Sequence, residues 1–443
     1  MSQPLLYLTN ITIILLLGII LSLVARRLKI SNLLLLVLCG IVLNKISTYA
    51  YAITFDPVFL TSISILALVM IVFDSCTRFK LKELDEFSIL AIKSTIIWLV
   101  LNLILMTFAV LFIFDKPSLL MALMFAALMS GTAPAAVLVM FRGTENRIAK
   151  LLEVEAIVNT PIIVLLPFII LGFIGRVKVE FLLTSIIEQI GPFLQQFVAG
   201  IGAGILVGIV GFKIIGSKYP GTMGPLTAMT ASLFTYILAE NLGGSGVLAV
   251  TTLGLFFGYF FKRETAHLVE YSSMFANTLI ILVFVLIGLS VDIPFTFSFF
   301  GKSFLLFVIY LLIRYVSILI SFKDLKYKVK EKIFMALNAQ KGIATATVAF
   351  SLTTIAVAHV QIVEGVEGIG QIPFISLPGA KEMLSLIVVF IIYSLLVSTI
   401  IQRVSKFFIG EIIIPESTAM EDNSSGSGTG KSKPPAKKKG KGK

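Results

Sequence analysis

The chain is poor in the residues that do covalent chemistry. Of its 443 residues only two are cysteine, Cys39 and Cys76, and two are histidine, His267 and His359. Neither cysteine stands in a CxxC pair, which excludes a disulfide framework and a thiolate zinc site. Two isolated histidines supply no general acid–base set, and no nucleophilic constellation or metal cluster accompanies them. The sequence therefore does not read as an enzyme, asks for no cofactor, and offers no metal site beyond one for a monovalent cation. The stretch SGSGTGKS from Ser425 to Ser432 imitates a phosphate loop, but Ser425 stands where its first glycine belongs.

Charge is scarce as well. Charged residues make up 14% of the chain and hydrophobic ones 57%, where soluble domains carry about 25% and about 45–50%. Apolar runs fall near residues 5–25, 31–47, 57–74, 88–114, 118–140, 150–174, 191–215, 222–241, 245–262, 272–292, 299–321, 331–357 and 381–405. In a bilayer the backbone must satisfy its own hydrogen bonds, so the expected fold is an all-α polytopic membrane protein of about 13 spans, residues 1–410. Residues 411–443 turn to Gly, Ser, Pro and Lys and carry seven of the lysines behind the net charge of +12. Such a segment buries no core and is expected to be a disordered tail, used to attract anionic lipid or other polyanions or simply to solubilise, with no specific nucleic-acid partner.

Lys and Arg divide unevenly between the loops, with 18 in odd-numbered loops and six in even-numbered ones. The positive-inside rule then puts the N-terminus outside and the tail in the cytoplasm of a multi-pass cell-membrane protein. Charges left at membrane depth are Lys93, Glu155, Arg314 and Lys341, with Asp74 and Glu240 near helix ends. Each is costly there unless hydrated or paired, and a Glu155–Arg314 ion pair is the economical arrangement, either as a staple or as part of a transport site.

Two runs carry backbone breakers at mid-depth, Ser130-Gly131-Thr132-Ala133-Pro134 and Asn338-Ala339-Gln340-Lys341-Gly342. If spans one to six and eight to thirteen form two inverted six-helix repeats, both breaks fall in the fifth member. Interrupted helices in corresponding positions, crossing at the midplane, are the pointer to a solute site.

Five segments, in order, carry a resemblance to a known family. They are Leu28-Lys29-Ile30 with Gly40, Phe73-Asp74 through Glu83, the glycine-rich turn Glu240 to Ala249, Val283 to Leu289, and Glu331 through Gly342-Ile343. Together they resemble the monovalent cation/proton antiporter superfamily, in its archaeal and bacterial sodium/proton exchanger branch. The resemblance implies alternating-access exchange of a monovalent cation for protons, in a homodimer surrounded by membrane lipid. It implies ion contacts at Thr132, Ala133, Asn159, Thr160, Glu155 and Lys341, and makes Glu155 and Arg314 the structural ion pair. The family's usual aspartates are absent at the matching positions, which read Thr132-Ala133-Pro134 and Asn159-Thr160-Pro161.

Without those carboxylates the remaining field, with Lys341 and half-helix N-termini, is expected to be neutral or net positive. Three readings stay open: a cation/proton antiporter with relocated sites at Glu155 or Asp74; an anion or neutral-solute transporter on the same fold; and a non-transporting sensor, scaffold or inactivated variant. Deleting residues 417–443 should leave membrane insertion and the thermal midpoint of the purified protein at wild-type values; loss of both would show that the tail is part of the fold.

Overall fold

The computed structural model describes residues 3–28, 30–47, 53–77, 86–114, 118–133, 147–174, 182–215, 223–260, 265–323, 327–352 and 380–409. The tail, Pro134 and most of the connection expected around 359–381 lie outside the described residues.

Among the described residues the chain is helical and has no strand. The first six helices are α1 (Gln3–Leu28), α2 (Asn32–Ser47), α3 (Pro57–Thr77), α4 (Glu86–Ile113), α5 (Leu119–Leu128) and α6 (Arg147–Ile174). Then come α7 (Leu182–Ile215), α8 (Met223–Asn241), α9 (Gly246–Phe260), α10 (Thr265–Ser290) and α11 (Phe297–Ser321). The last are α12 (Val329–Leu337), α13 (Ile343–Leu352), α14 (Ala380–Arg403) and α15 (Ser405–Ile409). Among the described residues, six helices are long and apolar enough to cross a membrane, within α1, α3, α4, α7, α11 and α14. Large apolar side chains such as Leu16 and Leu23 on α1, Phe112 on α4 and Leu305 on α11 point outward, as lipid-facing surfaces require.

Two expected spans are interrupted. In the run at 118–140 the helix α5 ends at Leu128, because Gly131 and the pre-proline position Ala133 disfavour continued α geometry. Ser118 caps its start, its Oγ accepting from the Met121 N–H at 3.2 Å. The run at 331–357 splits into α12 and α13, with Asn338 folding its amide onto the Phe334 carbonyl at 2.8 Å where α12 ends. In the other direction, α7 continues N-terminally through Gly191-Pro192, where a start was expected.

Packing sorts the helices into two sets. α1, α2 and α3 pack mainly with α7–α10, while α4, α5 and α6 pack mainly with one another and with α11, α12 and α14, and contacts of α3 and α9 with α6 and of α2 with α14 join the two sets. Leaving α7 aside as the linker, the first three spans of each proposed repeat share one set and the last three share the other. The first set is held by close helix approach: a Cβ added to Gly40 on α2 would strike the Val285 carbonyl oxygen, and one on Gly288 of α10 would strike that of Val37. The glycine-rich turn joins α8 to α9 through Gly243, whose φ of 71° suits glycine, and Glu240, whose Oε1 accepts from the Gly246 N–H at 2.8 Å. Gly288→Ala should lower the detergent melting midpoint clearly, whereas Gly301→Ala, with open space at its Cβ, should not; equal midpoints would contradict the α2–α10 approach.

Candidate functional site

The two interruptions meet. The Ala133 N–H donates to the Gln340 carbonyl at 2.9 Å, joining the segment after α5 to the segment between α12 and α13. Neither segment tolerates much added bulk: a Cβ on Gly342 would collide with that of Ala133, and one on Gly131 would come 2.6 Å from Thr345 Oγ1.

Ending a helix inside an apolar bundle strands its last carbonyls, and each must find a donor. Side chains from neighbouring helices supply them. On α4, Asn102 Nδ2 donates to the Ala126 carbonyl at 2.7 Å, and Trp98 Nε1 donates to that of Ser130 at 2.7 Å. Asn159 on α6 donates to the same Ser130 carbonyl at 2.8 Å, with Thr132 Oγ1 3.4 Å away. The carbonyls of Met129 and Gly131 accept from Lys341 Nζ, the second at 2.8 Å. Lys341 also donates to Tyr310 Oη at 2.6 Å, with Nζ 4.1 Å from that ring's centroid. Tyr310 in turn donates to the Ala339 carbonyl at 3.2 Å.

These contacts correct the expected field around Lys341. All three ammonium N–H donors have acceptors, and the half-helix end facing them is the C-terminal end of α5, which carries partial negative charge. The surroundings are those of a cation, which removes the physical support for an anion held by Lys341.

Behind this crossing lies the second charged group. Arg314 Nη2 and Glu155 Oε1 are 2.6 Å apart, both side chains essentially inaccessible, and the guanidinium lies 4.9 Å from the Trp98 ring. No directed hydrogen bond joins the pair: both carboxylate oxygens of Glu155 and all three guanidinium nitrogens are buried without one. Asn159 Oδ1, Asn102 Oδ1, Ser94 Oγ and Ser317 Oγ share that condition. Ser94, Trp98 and Asn102 recur every fourth residue on α4, Glu155 and Asn159 are four apart on α6, and Arg314 and Ser317 three apart on α11. The spacings give each helix one polar face, so a polar seam runs between three packed helices.

Of the residues expected at the site, Thr132, Ala133, Asn159 and Lys341 gather at the crossing, with Glu155 one turn along α6 from Asn159. Thr160 is in α6, but its side chain lies outside the described ones. Asp74 belongs to α3, in the other helix set, and Lys93 is exposed. Trp98, Asn102 and Tyr310 were not anticipated. Their signal was available: the only tryptophan of the chain sits four residues from an asparagine in an apolar run, and Tyr310 lies one turn from Arg314.

Hydroxyl, amide and main-chain oxygens of this kind suit a hard monovalent cation. Glu155→Ala should strand the buried Arg314 charge at a cost of about 3–5 kcal/mol, read as lost yield or a lower melting midpoint. Adding Arg314→Ala should restore part of it; strictly additive losses would show that the two do not act as a pair.

Comparison with known proteins agrees in kind. Residues 11–405 match the family model for the sodium/hydrogen exchanger, transmembrane. A probable Na(+)/H(+) antiporter 2 of Methanocaldococcus jannaschii is 28% identical over 375 residues, 78% of this chain and 84% of that protein. The Na(+)/H(+) antiporter ApNhaP of Aphanothece halophytica is 33% identical over 195 residues, 41% of this chain and 35% of that protein. In fold, the sodium proton antiporter MjNhaP1 of Methanocaldococcus jannaschii at pH 8 superposes with a TM-score of 0.68 at 19% identity, covering 91% of this chain and 97% of its own.

Proposed function

Because the chain belongs to the sodium/hydrogen exchanger family, we propose that it is a secondary transporter exchanging sodium or another monovalent cation for protons by alternating access. The family moves ions and transforms none, in keeping with the absence of an enzyme-like constellation in the sequence. The observation that carries the site assignment is the pair of buried oxygens beside the crossing that have no hydrogen bond and no contact with Arg314 Nη2: Asn159 Oδ1 and Glu155 Oε2. With Thr132, and with Thr160 as the resemblance implies, they make up the proposed cation site. Ala133 and Thr160 stand where the resemblance expects ion-binding aspartates, so the site is atypical. Glu155 is the one fully buried carboxylate among the described residues, and it carries the negative charge and the exchangeable proton that the two aspartates would otherwise supply.

The same reading places residues 1–410 in the cell membrane as a transmembrane unit of 13 spans in two inverted repeats. The N-terminus is outside, the tail 411–443 is cytoplasmic, and the working form is a homodimer in lipid. The loop charge asymmetry supports the orientation, and the helix sorting supports the repeats.

In proteoliposomes with an acidic lumen and an internal pH dye, external sodium, potassium or lithium should alkalinise the lumen. Glu155→Gln keeps the side-chain shape and removes the exchangeable proton, and should abolish the response in folded protein. Silence of the wild type with every cation would overturn the exchange reading; a wild-type response from Glu155→Gln would overturn the role of Glu155.

A further inference from the structure

Lys341 differs from the other buried charges. Glu155 and Arg314 neutralise each other, whereas no carboxylate is among the partners of Lys341 Nζ. Its ammonium is held by the Met129 and Gly131 carbonyls and the Tyr310 hydroxyl, under the negative end of α5 and against the face of the Tyr310 ring. A ring of neutral oxygens around a compact positive group is the ligand set a protein uses for a weakly hydrated monovalent cation.

The oxygens are also fixed independently of the lysine stem. The Lys341 N–H is anchored on Ser394 Oγ at 2.9 Å. Gln340 is held twice, by the Ala133 N–H on its carbonyl and by Ser398 Oγ on its Oε1 at 2.6 Å. Tyr310 spends its own proton on the Ala339 carbonyl, which leaves its oxygen lone pair for a cation. The segment carrying Met129 and Gly131 is braced by Trp98 and Asn159 through the intervening Ser130 carbonyl. Removing the ammonium therefore leaves acceptors that are positioned and unpaired, in an interior where an unpaired carbonyl is costly.

We propose that the Met129 and Gly131 carbonyls and Tyr310 Oη form a monovalent-cation seat separate from the Thr132–Asn159 side, filled in this chain by the tethered ammonium of Lys341. The ligand class is ammonium, small primary ammonium ions and alkali cations of similar size. The consequence for transport rests on the exchange reading above. With this seat occupied from within, a free cation is left the oxygens on the α6 side, and the crossing keeps its α5 end neutralised when no free cation is bound.

The test is binding, not transport. Purified wild type, Lys341→Met and Lys341→Ala are melted in detergent with choline chloride as the background salt, while ammonium, methylammonium, potassium, sodium or tetramethylammonium is added. Both variants should melt below wild type and regain stability saturably with ammonium, Lys341→Ala also with methylammonium, and neither with tetramethylammonium. Wild type should show no such gain, and adding Tyr310→Phe to Lys341→Met should raise the half-saturating ammonium concentration several-fold. If either variant is lost on purification, recovery of monodisperse protein by ammonium in the solubilisation buffer is the expected result. Folded Lys341→Met indifferent to ammonium, an equal gain in wild type, or aggregation of both variants regardless of ammonium would overturn the seat. Silent flux from wild type would overturn the exchange reading and leave the seat standing, so the two failures are distinguishable.

Discussion

A broken helix inside a bilayer must find donors for the carbonyls it frees. Everything distinctive about this chain follows from meeting that requirement at one place. The end of α5 releases carbonyls between Ala126 and Gly131, all of them in buried residues. Trp98, Asn102, Asn159 and Lys341 therefore come from three other parts of the chain to donate. The backbone bond from Ala133 to Gln340 then joins the two interruptions. Elsewhere in the fold, α2 and α10 approach closely through Gly40 and Gly288.

The charges obey the same logic. A buried ion pair is costly to desolvate and worse to break, so Glu155 and Arg314 stand or fall together. Lys341 is offset by dipoles instead of a carboxylate, an arrangement available only where a helix C-terminus is exposed to it. On the proposed reading, the site keeps the cation-directed polarity of an exchanger although Ala133 and Thr160 stand where the resemblance expects acids. The oxygens that face a cation there are main-chain carbonyls and side-chain oxygens, while the Glu155 charge is offset by Arg314.

Much of this was legible in the sequence, and what was not has definite physical reasons. Apolar run length identified the helices, because the bilayer forces backbone bonding within each segment. Gly131, Pro134 and Gly342 marked the interruptions, since glycine and proline are where helical geometry is easiest to leave. The nearness of Glu155 and Arg314 followed from the cost of leaving either alone. Helix ends were less legible: Gly191-Pro192 read as a start, yet α7 extends beyond it because proline forbids continuation only where the preceding turn cannot adapt. The setting of Lys341 was not readable. Its charge is visible in one dimension, but whether it meets a positive or a negative half-helix end depends on how two distant segments cross. For Tyr310 the sequence shows only that it lies one turn from Arg314; that its hydroxyl meets Lys341 depends on the same crossing.

Thallium(I), a heavy monovalent cation of potassium-like size, would test the crossing as a cation-binding structure most directly. Anomalous diffraction from thallium-soaked crystals of Lys341→Met should show a peak in contact with the Met129 and Gly131 carbonyls. In wild-type crystals treated alike that position should hold the lysine nitrogen and no thallium. A peak there in both proteins, or in neither while the protein remains folded, would contradict the assignment of these oxygens as a cation seat occupied by Lys341.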